Sequence, residues 1–315
     1  MTAEDHTVRA GRRTVELHRP DKVLFPADGD HPAYTKADLV AYYREVAPFM
    51  LPGLRGRPLM LERYPDGIDG PRFMQKNTPE YYPEWITRAE VPKEGGTVCH
   101  TVCDSAATLL YLADQASVTP HRWLSRVDHR DEPDLLVFDL DPAEGAEDFG
   151  RVREAAHWLG EVLEELKLPS VLMTTGSRGL HVTVPLLPKQ DVDAVRGFAR
   201  DVADLLVAEH PDRLTTAARK RDRGDRLYLD VQRNGYAQTA VAPYGVRARP
   251  GAPVATPLAW DQLDDPDLGP RRWTIADAVE QARTHPWPAL RGHALAPARR
   301  RLEELRDAER GTKST

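Results

Sequence analysis

Apolar residues recur at two different spacings along the second half of the chain. Phe149, Val152, Ala155, Ala156, Leu159, Val162, Leu163 and Leu166 fall three or four apart, as do Val192, Val195, Phe198, Ala199, Val202, Leu205 and Leu206. Both sets predict amphipathic helices. Around them lie short runs rich in β-formers: LLVFDL, SVLMT, LHVTVPL and RLYLDVQ. The order is β-α-β-β-α-β, a ferredoxin-like or RNA-recognition-motif arrangement in the α+β class. Its usual strand order is 4-1-3-2.

The first half is patterned less regularly. TVELHR predicts a strand, followed by a loop rich in Pro, Gly and Asp. In TKADLVAYYREVAPFM, Thr35 and Asp38 have the spacing of a capping box, with Pro52-Gly53 as the expected stop. RGRPLMLERYPDGIDGPRFMQKN predicts strand, turn and strand, and DSAATLLYLADQA predicts another helix. These readings divide the chain into a flexible start (1–13), an N-terminal α/β module (14–130), a core (131–250), further elements (251–290) and a charged helical tail (291–315).

Composition narrows the class. At 315 residues, with 41% hydrophobic and 29% charged, the chain can bury a substantial core. No apolar run is long enough for a membrane span, and the first residues lack the apolar stretch of a secretory signal. A cytoplasmic protein is therefore expected. The net charge of −6 does not by itself advertise a nucleic-acid partner, although a local basic groove remains compatible with it. Two cysteines do not make a disulfide framework. Cys99, His100 and Cys103 in CHTVC offer zinc ligands without a second pair nearby.

Strand alternation supplies the candidate chemistry. Leu136, Phe138 and Leu140 oppose Val137, Asp139 and Asp141. Leu180, Val182 and Val184 oppose His181 and Thr183, and Leu227, Leu229 and Val231 oppose Tyr228, Asp230 and Gln232. If the apolar sets lie under the helices, an opposite, open face collects Asp139, Asp141, His181 and Asp230. Three close carboxylates repel unless a cation joins them, and hard oxygen donors suit Mg²⁺ or Mn²⁺. Two such ions serve phosphoryl displacement. TTGSRGLH adds Thr175, Ser177 and Arg178 on a glycine turn fit for phosphate. AARKRDRGDR places a basic loop just before Asp230.

Two other readings share parts of this pattern. An aspartyl-nucleophile phosphatase also begins with D-x-D after a strand, but needs a later acidic pair on a doubly wound sheet. A non-catalytic RNA-recognition module stacks bases on aromatic residues where this chain has acids.

LVFDLDP, TTGSRGLHVTVPL, LYLDVQRN and TAVAPYGVRAR together resemble the polymerase domain of bacterial end-joining, ATP-dependent DNA ligases of the ligase D type. That domain is a branch of the archaeo-eukaryotic primase superfamily. DKVLFP, RYPDGIDGPRFMQKN, HRWLSR and DQLDDPDLG extend the resemblance over roughly residues 14 to 290. It implies a primase-polymerase domain in a stand-alone chain: a nucleotidyltransferase that uses two Mn²⁺ or Mg²⁺ ions to add NTPs or dNTPs at DNA gaps and breaks in non-homologous end joining. It implies metal-binding acids at Asp139, Asp141 and Asp230, and nucleotide contacts at His121, Thr175, Ser177, Arg178, His181, Arg223 and Arg247. It also implies DNA contacts at Arg63, Phe73 and Lys76, with Lys22 and Lys36 on the 5′-phosphate of a gap or break. Ku and a separate DNA ligase are the implied partners, and the nucleoid the implied location. Thr175 and Arg178 stand where the family usually has Ser and Lys. Glu62 stands at an often basic position, and Met74 where a second aromatic residue is common.

Overall fold

The computed structural model describes residues 6–143, 149–287 and 291–313, with side chains described as far as residue 308. Residues 1–5 of the expected flexible start and the last two residues of the tail lie outside that range. In chain order the elements begin with β1 (Thr7–Ala10), β2 (Arg13–Glu16), β3 (Val23–Phe25), β4 (Tyr34–Thr35) and α1 (Lys36–Leu54). Next come β5 (Leu59–Arg63), β6 (Phe73–Gln75), β7 (Arg88–Lys93), β8 (Gly96–Thr101), α2 (Ala106–Asp114) and β9 (Ser117–Trp123). Then follow β10 (Leu135–Asp141), α3 (Gly150–Glu165), β11 (Val171–Thr174), β12 (Leu180–Pro185), α4 (Val192–Glu209), β13 (Leu214–Thr215) and β14 (Leu227–Asp230). The series closes with β15 (Thr239–Val241), β16 (Pro257–Leu258), α5 (Ala278–Thr284) and α6 (Leu295–Lys313). None of the described helices is long and apolar enough to cross a membrane.

The chain forms two compact units, each assembled from separated segments. The first takes the chain up to Asp128, Thr239–Pro257 and Arg271–Trp287. Its sheet has the order β15-β9-β5-β6, and α1 and α2 pack together in its core. Thr35 starts α1 as the pattern predicts. Its hydroxyl accepts from the Asp38 amide at 3.3 Å, and the Asp38 carboxylate accepts from the Thr35 amide at 2.7 Å. The helix does not stop at Pro52-Gly53 but runs to Leu54. Pro48 and Pro52 sit on its exposed side, so the carbonyls they leave unbonded can face water, while Met50, Leu51 and Leu54 hold the opposite side in the core. Residues 7–13 of the expected flexible start are structured, because β1 pairs with β2 in a hairpin.

The second unit takes His129–Gln238, Leu258–Pro270 and the chain beyond Trp287. Its sheet contains the run β13-β14-β10-β12-β11, with β16 beyond β11. β10 is antiparallel to both β14 and β12, and β11 to β12. The helical apolar sets of α3 and α4 are buried against it, from Val152 to Leu163 and from Val195 to Leu206. Leu136, Phe138, Leu140, Val182 and Val184 have no exposed surface. The polar face is not open as the alternation suggested: Asp139 is 9% exposed and His181 4%.

Candidate active site

Strand register brings the acids together. Asp139 in β10 lies directly opposite Asp230 in β14 and directly opposite His181 in β12. Asp141 follows two residues later, on the same face. His181 Nε2 lies 3.5 Å from Asp139 Oδ1. Arg233, one turn past β14, sets its Nε 3.4 Å from Asp139 Oδ2 and 3.7 Å from Asp230 Oδ2. Burial alone would push the Asp139 carboxyl up, but His181 and Arg233 outweigh it and hold it below the ordinary range. Asp141 behaves in the opposite way. Burial raises it, Asp139 adds to the rise, and Arg178 and Arg223 only partly offset it.

Arg178 and Arg223 reach Asp141 from two different loops. Arg178 Nη2 lies 2.9 Å from Oδ1 and Arg223 Nη1 3.5 Å from Oδ2. Arg223 also stacks on Tyr228, 3.8 Å from the ring centroid. The two arginines, with Lys220, Pro142, Ala143, Gly224 and Asp225, line a cavity of about 120 Å³. The TGSRG turn that carries Arg178 is closed by Thr175, whose hydroxyl accepts from the Gly179 and Ser177 amides at 3.1 and 3.3 Å. Gly179 has no alternative: a Cβ there would stand 2.1 Å from the Leu140 carbonyl oxygen. The turn therefore lies against β10 and presents its arginine to Asp141.

Among the described residues, no group of three or more His, Cys, Asp or Glu side chains is arranged to hold a metal ion. The donor chemistry nonetheless suits a hard divalent cation. Asp139 and Asp230 already share one cation, the Arg233 guanidinium, and Asp141 holds two more. Mg²⁺ keeps several water or phosphate ligands, so two or three protein carboxylates suffice for it. The cysteine motif is employed otherwise. His100 Nδ1 pairs with the Leu59 carbonyl at 2.9 Å, and the buried Cys103 thiol, pushed up by burial, points at the Ser105 carbonyl.

The remaining candidates belong to the first unit. His121 in β9 places Nε2 3.4 Å from Glu62 Oε2. Glu62 also accepts from Tyr64 at 2.9 Å and lies 3.4 Å from Arg72. Burial would raise the Glu62 carboxyl, yet bonds from His121 and Tyr64 and the Arg247 charge bring it down to about 2. Glu62 at this often basic position thus anchors His121, Tyr64 and Arg72 beside Arg247. Lys22 and Lys36 are neighbours, since the Lys36 amide donates to the Lys22 carbonyl at 2.8 Å. The Lys22 ammonium pairs with exposed Asp66 at 2.7 Å. Lys36 is buried, donates to the His18 carbonyl and lies 3.4 Å from buried Asp114. Desolvation lowers its pKa, with Asp114 opposing the change. Arg63 bonds Gln75 at 2.6 Å, Phe73 is exposed opposite it in β6, and Lys76 is exposed beyond the strand.

A family model described as the LigD primase-polymerase domain matches residues 35–288. The chain belongs to the LigD primase-polymerase family. The polymerase domain of ligase D from Mycobacterium tuberculosis, solved in complex with DNA, superposes with a TM-score of 0.79 at 32% identity, covering 86% of this chain and 94% of that one. The multifunctional non-homologous end joining protein LigD of Mycolicibacterium smegmatis is 34% identical over 256 residues, which is 81% of this chain and 33% of the relative. The bifunctional LigD of Bacillus subtilis is 29% identical over 269 residues, or 85% and 42%. The chain thus spans about a third of the mycobacterial relative and two fifths of the Bacillus one.

Within this LigD primase-polymerase chain, some site residues were hidden from the strand pattern. Arg233 lies in a short 3₁₀ turn, where alternation no longer applies. Lys220 opens a short 3₁₀ helix, Lys220–Asp222, within a stretch whose basic character was plain but whose direction was not. Asn234 is fully engaged by β10, accepting from the Val137 amide at 2.8 Å and donating to its carbonyl at 2.7 Å. It pins the turn after Asp230 to the strand that carries Asp139. An asparagine three or four residues after a strand acid was the available signal.

Proposed function

We propose that this chain is a template-dependent nucleotidyltransferase that adds NTPs or dNTPs to primer ends at DNA gaps or breaks. The observation that carries the reading is Asp139 paired across the sheet with both Asp230 and His181, beside Asp141 and a cavity lined by Arg178, Lys220 and Arg223. Family membership and the DNA complex of the mycobacterial neighbour support it.

Asp139, Asp230 and Asp141 would hold Mn²⁺ or Mg²⁺. When bound, the two ions supply activation of the attacking primer oxygen and neutralisation of charge on the departing pyrophosphate. Asp139 contributes a carboxylate that stays ionised at neutral pH, because His181 and Arg233 favour that form. Asp141 is held by arginines until phosphate oxygens offer them a stronger partner. An incoming triphosphate in the basic cavity would draw Arg178 and Arg223 toward itself and leave Asp141 free to ligate. Thr175 and Ser177 keep the turn in shape for that exchange.

Lys22 would receive a 5′-phosphate at the break, leaving Asp66 to do so, while its neighbour Lys36 stays on buried Asp114. The relatives' names place them in end joining, and we extend that role to this chain, with Ku, a DNA ligase activity and the nucleoid as its setting. Primer extension on gapped DNA tests the reading. Addition of ribonucleotides or deoxynucleotides that depends on Mn²⁺ or Mg²⁺ and follows the template is the expected result, and no addition by the wild-type protein would refute it.

A further inference from the structure

The two strands β5 and β6 present different chemistry on their two faces. Arg63 pairs with Phe73 and Leu61 with Gln75, so these four share one face, while Glu62 and Met74 pair on the other. The position following Phe73 therefore points away from it. A second aromatic residue on the Phe73 face must come from elsewhere in the chain, and Tyr81 is placed there.

Arg63 connects the two. Its Nη1 donates to Gln75 at 2.6 Å and lies 3.5 Å from the Tyr81 hydroxyl oxygen. Gln75 in turn donates to the Tyr82 hydroxyl at 3.1 Å. Tyr81 is 64% exposed and Phe73 54%, both large apolar rings facing water beside a guanidinium. The Tyr81 ring is braced from behind. It meets buried Tyr82 edge-on at 5.2 Å and 69°, Tyr82 meets Tyr111 at 5.0 Å and 80°, and Tyr111 meets Trp85 at 6.0 Å and 79°. Arg13 closes the far end, 4.8 Å from the Trp85 ring centroid. A ladder of edge-to-face rings fixes the last one, so little side-chain entropy remains to be lost when something stacks on it.

We propose that Tyr81 is a base-stacking residue for the unpaired template strand, acting with Phe73 and the Arg63 charge. Single-stranded nucleic acid is the occupant this surface fits: exposed rings take base faces without regard to sequence, and the guanidinium between them takes the phosphate that links two bases. The proposal rests on the polymerase reading and deepens it, because Tyr81 supplies on the Phe73 face the aromatic contact that Met74 does not offer.

The test is a fluorescence-anisotropy titration at fixed salt, with a blunt duplex and the same duplex carrying a short single-stranded overhang. Wild type, Tyr81→Ala and Tyr81→Phe are compared. Tyr81→Ala should bind the overhang about tenfold more weakly, since stacking on one ring contributes that order of affinity, and bind the blunt duplex unchanged. Tyr81→Phe should match wild type on both. Tyr81 is exposed, so Tyr81→Ala should melt only slightly below wild type, for the lost Tyr82 ring contact, and a cooperative melt from each variant shows that both are folded. Equal overhang binding by wild type and Tyr81→Ala overturns the proposal and leaves the ring to a protein partner. An equal loss in Tyr81→Phe also overturns it, because the hydroxyl beside Arg63 would then matter and the ring would not. Wild type that binds neither duplex contradicts the polymerase reading itself, a result seen before any variant is examined.

Discussion

The acids of the second unit and the basic side chains of the first are gathered in opposite ways. Asp139, Asp141 and Asp230 are brought together by backbone register, despite their mutual repulsion, and His181 with three arginine side chains balances them. Lys22, Lys36 and His121 instead each meet a carboxylate, in Asp66, Asp114 and Glu62 respectively. Like charges held close together attract cations from solution. Opposite charges already paired form either a structural anchor or a site whose partner must first be displaced. Exposure separates those two outcomes. Lys36 and Glu62 are buried and anchor; Lys22 faces a well-exposed aspartate and can exchange.

The largest expected effect lies among the acids. Asp230→Ala should reduce nucleotide addition by roughly a thousandfold or more, the scale of losing metal-borne charge stabilisation. The fold should persist, because the substitution removes one of three repelling charges. Single-turnover extension together with a thermal melt measures both, and wild-type turnover in a folded variant would break the contrast at its stronger end.

Next comes the anchor. Glu62 is depressed to about 2, so its ionised form stabilises the fold by roughly 3 kcal/mol at neutral pH. That contribution is complete above the unfolded-state value near 4.3 and disappears as pH falls toward 2. Glu62→Gln should therefore be less stable than wild type in urea melts at pH 7, with the gap closing progressively below pH 4. A gap that does not change with pH would mean that packing around residue 62, and not its charge, is responsible.

Arg178→Ala should raise the apparent KM for nucleotide about tenfold to a hundredfold, as expected for a lost charge-assisted bond, and leave the KM for DNA near its wild-type value. Steady-state kinetics with each substrate varied in turn decides this. Equal changes in both constants would place Arg178 in the structure of the turn and not on the triphosphate.

How much of this was legible depends on which residues carried a period. The acids and His181 were readable because they lie inside strands, where side chains alternate and each register step is fixed by apolar neighbours such as Phe138, Val182 and Leu229. The Thr35 cap was readable for a similar local reason. Arg233 and Tyr81 were not, because each reaches its place through a turn whose direction no period encodes. The assembly of the first unit was equally hidden: β15 pairs with β9 across more than a hundred residues, and nothing in TAVAPYG announces that partner. The carboxylate partners of Lys22 and Lys36 were hidden for the same reason, because they lie 44 and 78 residues away in sequence.

The smallest effect concerns Lys22. Its ion pair with Asp66 is solvent-accessible and contributes little to stability, so Lys22→Ala should leave the melting temperature unchanged. It should reduce the preference for 5′-phosphorylated gaps several-fold, in a binding titration with and without the phosphate at fixed salt. Lys36→Ala is a poorer probe, because it would strand the buried Asp114 carboxylate and lower stability as well. If Lys22→Ala retains the full preference, the exposed pair is an anchor after all and the distinction by burial fails.

Whether the register-held acids of the second unit form a divalent-metal centre for nucleotide addition can be measured directly. Mn²⁺ binding is titrated by calorimetry on wild type and on Asp139→Asn, and template-directed extension of a gapped primer is followed in the same samples. Wild type should bind Mn²⁺ and extend the primer, while Asp139→Asn, folded and nearly isosteric, should lose both together. Extension by Asp139→Asn at the wild-type rate, or undiminished Mn²⁺ binding by that variant, would contradict the account.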